Sequence, residues 1–303
     1  MNGIININKP IGITSHDVVY RLRKILNIKK IGHTGTLDPD ASGVLPMCIG
    51  RATKTADMLT AQDKQYIAEV TLGSATDTLD SSGMVTETSE VNVSEEDIIH
   101  AANKFLGEIE QIPPMYSAIK KDGQRLYELA RQGIEVKREP RLVRIDRLEI
   151  IDFDLDNNKF VMKVDCSKGT YIRSLCDDLG RRLGCFAHMS ALERTRSGRF
   201  KIEESYTLEQ VEEMLDAGDT GFLIPIDEVF EEYRKIVVSN RKAVQVCHGL
   251  KVRAQGIENG EIYRVYDESG RFLTISEAEN GVLKILKTFY QCNGGGETSN
   301  ADL

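Results

Sequence analysis

The sequence predicts an α+β chain in two parts, a larger unit of interleaved helices and strands and a small all-β unit at the C-terminal side. Three observations predict it. The 303 residues exceed what one core comfortably serves, since single cores stop growing at roughly 250 to 300 residues. Up to about residue 230, segments with a 3.6-residue apolar period alternate with segments of period two. From about residue 235 the texture changes to short β-like runs separated by Gly, Asn and Ser. We therefore place the larger unit at residues 1–232 and the smaller at 235–290. Residues 291–303, QCNGGGETSNADL, hold too little apolar surface to fold and are expected to be disordered.

The apolar run IINI opens the chain as a short strand. Thr14 with Asp17 three residues on matches a capping box, and the helix it starts has Val18, Leu22, Ile25 and Leu26 on one face and Arg21 and Lys24 outward. Residues 31–46, IGHTGTLDPDASGVLP, read as one tightly turning loop, because Gly32, Gly35 and Gly43 relax the backbone and Pro39 fixes it. KQYIAEVTLG then alternates Tyr66, Ala68, Val70 and Leu72 against Ile67, Glu69 and Thr71, as a strand does. Ser94 and Asp97 start a second helix, with Gly107 as its stop. Pro113 and Pro114 break the chain before a short helix ending near Gly133. VRIDRLEII and KFVMKVDCS are strands joined by a turn at Asp156, Asn157 and Asn158, and GTYIRSLCDDLGRRLG runs from strand into helix. Thr207 and Gln210 cap an acidic helix, and FLIPIDEVF closes the unit. KIVVS, AVQVC, EIYRVYD, RFLTIS and VLKILKTF follow, and their spacing predicts a small β-barrel.

An apolar content of 41% with 28% charged residues is that of a soluble globular chain. No stretch approaches the ~20 apolar residues of a membrane span. MNGIININKPIG lacks the basic start and apolar stretch of a secretory signal, so a cytoplasmic location is expected. The six cysteines, at 48, 166, 176, 185, 247 and 292, form no CxxC pair and no zinc-ligand spacing, which fits reduced thiols. A net charge of -8 argues mildly against a polyanionic partner, but the charge is unevenly spread. Residues 202–234 carry eleven acids against one Arg, whereas 115–147 hold nine cations against five acids and 161–201 nine against four. Charge alone is equally consistent with basic patches on one nucleic-acid-binding face and with ordinary solvated surfaces.

Asp38, between Leu37 and Pro39, fits either a turn carboxylate bonding its own backbone or a reactive group held in a shaped loop; the flanking glycines and nearby His33 favour the second. His33 with Asp38 and Asp40 makes a weak metal set, since no second His lies nearby, and metal is the least favoured reading. No GxSxG and no GxxxxGK[ST] occurs, so a Ser nucleophile and a P-loop lack support. Arg173 in GTYIR is a candidate cation for keeping a buried carboxylate ionised.

Five segments in this order, KP at 9 and 10, GHTGTLDPDASGVLP at 32–46, KQYIAEVTLG at 64–73, GTYIRSLCDDLG at 169–180 and ALERTRSGRF at 191–200, closely resemble the bacterial TruB tRNA pseudouridine synthases. The resemblance covers residues 1 to about 230, and the C-terminal β region looks like the family's PUA-type RNA-binding domain. It implies an α+β unit built on a mixed, largely antiparallel central sheet flanked by helices. It also implies a cofactor-free isomerase, a stand-alone monomer without an obligatory protein partner, that converts uridine 55 in the T stem-loop of tRNA to pseudouridine. By the resemblance, Asp38 is the catalytic aspartate, Tyr66 the stacking aromatic and Arg173 the partner of the aspartate. His33 contacts the RNA loop, Tyr171 and Leu192 line the uracil pocket, and Lys9 and Pro10 support the active loop. Residues 115–140, with Lys120 and Lys121, correspond to an RNA-gripping insertion.

Overall fold

The computed structural model describes residues 1–121 and 123–290; the expectation of disorder at 291–303 lies outside the described residues. Strand β1 (Gly3–Lys9) is buried along almost its whole length. It leads to helix α1 (Ser15–Leu26), which begins at the expected capping box: Thr14 Oγ1 accepts from the Asp17 amide at 3.0 Å, and Asp17 Oδ2 accepts from the Thr14 amide at 2.8 Å. Val18, Leu22 and Leu26 face inward, and Asn27 ends the helix in the left-handed conformation.

The segment 31–46 departs from the expectation of one loop. Strand β2 (Ile31–His33) contains Gly32, and strand β3 (Ala41–Ile49) contains Gly43. Only the stretch between them turns. Ile31, Val44, Leu45 and Met47 are all buried, and that burial outweighs the glycines' freedom. Gly43 has φ +102° and lies against Arg194; a Cβ built there would collide with the Arg194 backbone. Glycine in a strand here marks close backbone approach, not a turn.

After α2 (Ala56–Thr60) comes β4 (Lys64–Leu72), in which Ala68, Val70 and Leu72 are buried and Ile67, Glu69 and Thr71 only partly so, as the alternation predicts. Strands β5 (Ser74–Thr76) and β6 (Val85–Thr88) pair with each other. Helix α3 (Glu95–Asn103) starts at the Ser94/Asp97 capping box, and Gly107 begins β7 (Gly107–Gln111) instead of stopping the helix directly. Strands β8 (Lys120–Lys121) and β9 (Gln124–Arg125) pair beside the short helix α4 (Leu126–Arg131). Strands β10 (Arg141–Asp154) and β11 (Lys159–Cys166) turn through a left-handed Asn158. Helix α5 (Ile172–Leu183), β12 (Ala187–Ser197), β13 (Phe200–Lys201), α6 (Leu208–Asp216) and α7 (Ile226–Val229) follow.

The central sheet runs β1-β3-β12-β4-β11-β10-β7, with β2 on β3 and β13 on β12. Only β3 and β12 run parallel, at Leu192↔Ala41, Glu193↔Ser42 and Arg194↔Gly43. The sheet is thus mixed and largely antiparallel, as expected. Strand β12 is not legible in the sequence: AHMSALERTRS carries Glu193, Arg194 and Arg196 in a position that central strands ordinarily fill with apolar residues.

Two apolar clusters meet across this sheet. One joins Val70, Phe160 and Met162 to Ile98 of α3 and Leu175 and Leu179 of α5. The other joins Ile5 and Leu45 to Val18 and Leu22 of α1 and Val211 of α6. Tyr66 and Leu192 pack against both.

The C-terminal unit contains β14 (Arg234–Val238), α8 (Asn240–Cys247), β15 (Val252–Arg253), β16 (Ile262–Asp267), β17 (Phe272–Glu279) and β18 (Val282–Thr288). They form a five-stranded curled sheet in the order β14-β16-β17-β18-β15, a half-barrel. AVQVC, expected as a strand, is the helix α8. Ala243 and Val246 are buried three residues apart while Val244 is exposed, a helical spacing hidden in a β-branched run. The half-barrel docks on the larger unit through Ile275 and Phe289 against Ile4, Val44 and Phe200. Arg51 Nη1 donates to the Phe289 carbonyl at 2.9 Å, and Lys287 pairs with Asp57 at 2.7 Å. Among the described residues no helix is long and apolar enough to cross a membrane.

The contact at Gly43 sets an expectation for stability. Gly43→Ala should destabilise the chain by about 3 kcal/mol or more, combining a left-handed non-glycine residue with overpacking against β12. Denaturant unfolding reads this directly, and wild-type stability in the variant would contradict the described β3–β12 register.

Candidate active site

The turn that carries Asp38 is fixed on both sides by backbone hydrogen bonds. Ser15 Oγ accepts from the Leu37 amide at 2.9 Å and donates to the Leu37 carbonyl at 3.0 Å. The Pro39 carbonyl accepts from the Gly12 amide at 2.9 Å and from Lys9 Nζ at 3.3 Å. Lys9 is fully buried and also donates to the Pro10 and Ile13 carbonyls at 2.8 Å each. Burial lowers its pKa to about 8, against the opposing pull of Asp38 and Asp40. The Lys9–Pro10 pair therefore braces the turn from behind: Pro10 is exposed, and the Lys9 ammonium is spent on carbonyls instead of facing a ligand. Leu37 and Pro39 are held, and the carboxylate between them is left to project.

Arg173 stands on the first turn of α5, where Tyr171 is the N-cap residue. Its side chain is 7% exposed, and its Nη2 lies 3.0 Å from Asp38 Oδ2, whose side chain is 40% exposed. The guanidinium is shared: Nη1 approaches Asp80 Oδ2 at 3.5 Å and donates to the Thr78 carbonyl at 3.1 Å, and Nη2 donates to the Tyr116 carbonyl at 2.8 Å. A planar fork with five donors suits this task better than an ammonium would. Asp38 nonetheless has a raised pKa. Burial is the largest cause, Arg173 opposes it, and Asp80 and Asp40 add to it. The expectation that Arg173 lowers the Asp38 pKa thus holds for the arginine's own contribution and fails for the net direction, because desolvation and the carboxylates of Asp80 and Asp40 outweigh the cations Arg173 and Lys9.

Tyr66 enters from β4, and Leu192 from β12 lies opposite Ala68, two pairs along the same ladder and therefore on the same face. Both are partly buried, so the aromatic ring and the leucine form one apolar floor at the seam of the two clusters. Burial raises the Tyr66 phenol, and Arg194 works against that rise. Tyr171 is tied through its backbone to Gln111, whose Oε1 accepts from the Tyr171 amide at 2.7 Å while its Nε2 donates to the Tyr171 carbonyl at 3.0 Å. His33 closes β2, and its Nδ1 lies 3.0 Å from the Gly35 carbonyl, so Nδ1 carries the hydrogen. Burial lowers the His33 pKa. Lys120 and Lys121 are exposed on β8, and the root of their insertion is tied to the centre by the Tyr116–Arg173 bond. The set His33, Asp38 and Asp40 does not form a metal-holding group among the described residues.

Two participants escaped the sequence. Asp80, in TDTLDSSG, reads as a turn carboxylate and does serve as one, its Oδ1 accepting from Thr78 Oγ1 at 2.6 Å and the Ser82 amide at 3.0 Å. Its other oxygen faces Arg173, which only the fold reveals. Arg194 reads as one of several surface cations in ERTRSGR, yet it is 1% exposed.

The comparisons with known proteins agree with this arrangement. Residues 23–172 match the TruB family pseudouridylate synthase N-terminal domain, 173–231 the tRNA pseudouridylate synthase B C-terminal domain, and 235–284 the pseudouridine synthase II TruB C-terminal domain. The chain is 44% identical over 293 residues to tRNA pseudouridine synthase B of Clostridium kluyveri, covering 95% of this chain and 100% of that one. It is 49% identical over 254 residues to tRNA pseudouridine synthase B of Listeria monocytogenes, covering 82% and 84%. Among solved structures, a Cbf5-Nop10-Gar1 complex matches with a TM-score of 0.73 and 29% identity, over 95% of this chain and 85% of that one. With family models matching residues 23–231 and 235–284 and relatives 44% and 49% identical over most of their length, the chain belongs to the TruB family of pseudouridine synthases.

Proposed function

We propose that the chain isomerises uridine to pseudouridine in tRNA, at position 55 of the T loop, with Asp38 as the group that bonds transiently to the nucleotide. The observation that carries this reading is the Arg173–Asp38 pair at 3.0 Å, in a chain whose full-length relatives are named tRNA pseudouridine synthase B. Pseudouridine formation breaks the N1–C1′ bond and joins C5 to C1′, which calls for a group that attaches and then leaves, and a carboxylate does both. Attack at C1′ of the ribose and attack at C6 of the base both require Asp38 to be ionised. Arg173 supports that state against burial and fixes the direction of the oxygen lone pairs.

The target base must leave its stack, at a cost of a few kcal/mol. Stacking on Tyr66, worth about 1 to 3 kcal/mol per base, offsets much of that, with Leu192 and Tyr171 closing the pocket. His33, neutral at the edge of the loop, occupies the space the base vacates. Lys120 and Lys121 on the 115–140 insertion hold phosphates, and the half-barrel at 235–290 serves as a PUA-type RNA-binding domain. No cofactor is called for.

The chain works alone. Solved structures similar to it include Cbf5 assembled with Nop10 and Gar1 and an H/ACA RNP bound to a substrate RNA, at 29% and 27% identity. Relatives named tRNA pseudouridine synthase B at 43 to 49% identity stand nearer to the chain than Cbf5 does, and activity of the pure chain on bare transcribed tRNA separates the two.

Three outcomes are expected. Asp38→Asn should reduce single-turnover pseudouridine formation by about a thousandfold or more while tRNA affinity stays within about threefold; normal turnover in that variant would remove Asp38 from the chemistry. Because the Asp38 pKa is raised and the ionised form reacts, the rate should fall on the acid side at a pH above the ordinary aspartate value of 3.8. Replacing Arg173 with Met should move that limb further up, and an unmoved limb in the pH–rate profile would contradict the pairing. Changing both Lys120 and Lys121 to Gln should weaken tRNA binding and flatten the plot of log affinity against log salt by roughly 1 to 2, with the single-turnover rate at saturating enzyme retained.

A further inference from the structure

Arg194 is among the largest fully buried side chains of the molecule, and its charge has no obvious use. Its Nε donates to the Val44 carbonyl at 2.7 Å, which ties it to β3. Its Nη2 is buried with no hydrogen-bond partner, and among the described residues no carboxylate lies within ion-pair distance of it. Burying an arginine without an anion costs several kcal/mol after relaxation. A local violation of this kind is expected at functional or strained sites.

What it faces is definite. Arg194 is the cross-strand partner of Tyr66 in the β12–β4 ladder and of Gly43 in the β12–β3 ladder. Its Nη1 comes within 3.7 Å of where a Cβ would stand on Gly35, below the Asp38 turn. The other charged or titratable groups around it are Lys9 on β1, His33 on β2 and Lys64 at the start of β4. Around the Tyr66 phenol stand Arg194, Cys166 at the end of β11, and Asp38. Of these, Arg194 is the cation, Asp38 is a carboxylate, and burial keeps Cys166 a neutral thiol.

We propose that Arg194 is a positioning residue for Tyr66, holding a lone pair of the phenol oxygen by donation and supplying the positive charge that lets this oxygen act as an anion. A guanidinium has donors only, so the phenol oxygen must accept from it, and the phenol's own hydrogen is directed away from Arg194, toward the pocket. The inference rests on reading Tyr66 as the group that meets the flipped uracil. Once C5 is joined to C1′, C5 carries a hydrogen that must leave. The Tyr66 phenol first passes its own hydrogen to water as a proton; the phenolate then takes the C5 hydrogen as a proton, the C5–H electron pair returns to the pyrimidine ring, and N1 receives a proton from water. The phenol is thereby restored, so the enzyme ends unchanged. Arg194 touches neither base nor ribose, and its effect passes through Tyr66.

The test uses the full chain labelled at tyrosine Cζ with carbon-13, the Tyr66 resonance being assigned by its loss in Tyr66→Phe. Arg194→Gln removes the charge, and Arg194→Lys keeps it without the fork. The proposal expects the Tyr66 phenol to titrate about one pH unit or more higher in Arg194→Gln than in wild type, with Arg194→Lys between the two. It also expects release of tritium from C5 of labelled tRNA to slow about tenfold or more in Arg194→Gln, with tRNA affinity retained. Adding Arg194→Gln to Tyr66→Phe should cost nothing further. An unchanged Tyr66 titration in both folded variants, an additive loss in the double variant, or failure of both variants to fold would assign Arg194 to the scaffold and overturn the proposal. Wild-type tritium release in Tyr66→Phe would instead overturn the reading of Tyr66, while the titration would still report on the Arg194–Tyr66 link.

Discussion

One guanidinium, that of Arg173, holds together four segments far apart in the chain. It reaches Asp38 in the turn after β2, Asp80 and the Thr78 carbonyl in the turn after β5, the Tyr116 carbonyl at the root of the basic insertion, and its own helix α5. Two carboxylates and two carbonyls converge on one cation that is almost wholly buried. Charge balance leaves one negative charge in excess, and the structure puts that excess where solvent or a ligand can enter, on the more exposed Asp38. The carboxylate is ionisable yet not comfortable, a useful state for a group that must form a bond and then give it up.

The sheet explains how so many parts meet there. The single parallel pairing, β3 with β12, brings the end of the Asp38 turn beside the strand carrying Leu192 and Arg194. The antiparallel pairing of β12 with β4 then adds Tyr66. Gly43 is what permits the first of these contacts, and its lack of a side chain is a packing requirement imposed by Arg194 across the strands. Beneath the turn, Lys9 caps three carbonyls, those of Pro10, Ile13 and Pro39.

Much of this was legible in the residues themselves. The three capping boxes at Thr14, Ser94 and Thr207 are local in sequence, and each starts its helix where the pattern says. The alternation in β4 survives because that strand has one face on a core and one toward the partner layer. Failures came where tertiary demands overrode local signals. Glycines at 32 and 43 looked like turns and are strand residues, β12 was hidden by its charged residues Glu193, Arg194 and Arg196, and AVQVC is a helix despite its β-branched valines. Within the site, the motif resemblance named Asp38, Arg173, Tyr66 and Lys9, and the structure pairs Asp38 with Arg173 and ties Lys9 to the turn that carries Asp38. Asp80 and Arg194 were unreadable because their partners, Arg173 for the one and Val44 and Tyr66 for the other, lie far away in the chain and nothing in their own neighbourhoods distinguishes a buried charge from a solvated one. The net direction of the Asp38 pKa is likewise a property of enclosure, and enclosure is absent from a linear sequence.

The most direct measurement is a crystal structure of the chain bound to a T stem-loop carrying 5-fluorouridine at the target, where fluorine replaces the hydrogen that must leave C5. The account predicts the base out of the loop and on the Tyr66 ring, with the Asp38 carboxylate at bonding distance from the nucleotide and the Arg173 fork still engaged. A base that remains stacked within the RNA loop, or an Asp38 carboxylate turned away from it, would contradict the account.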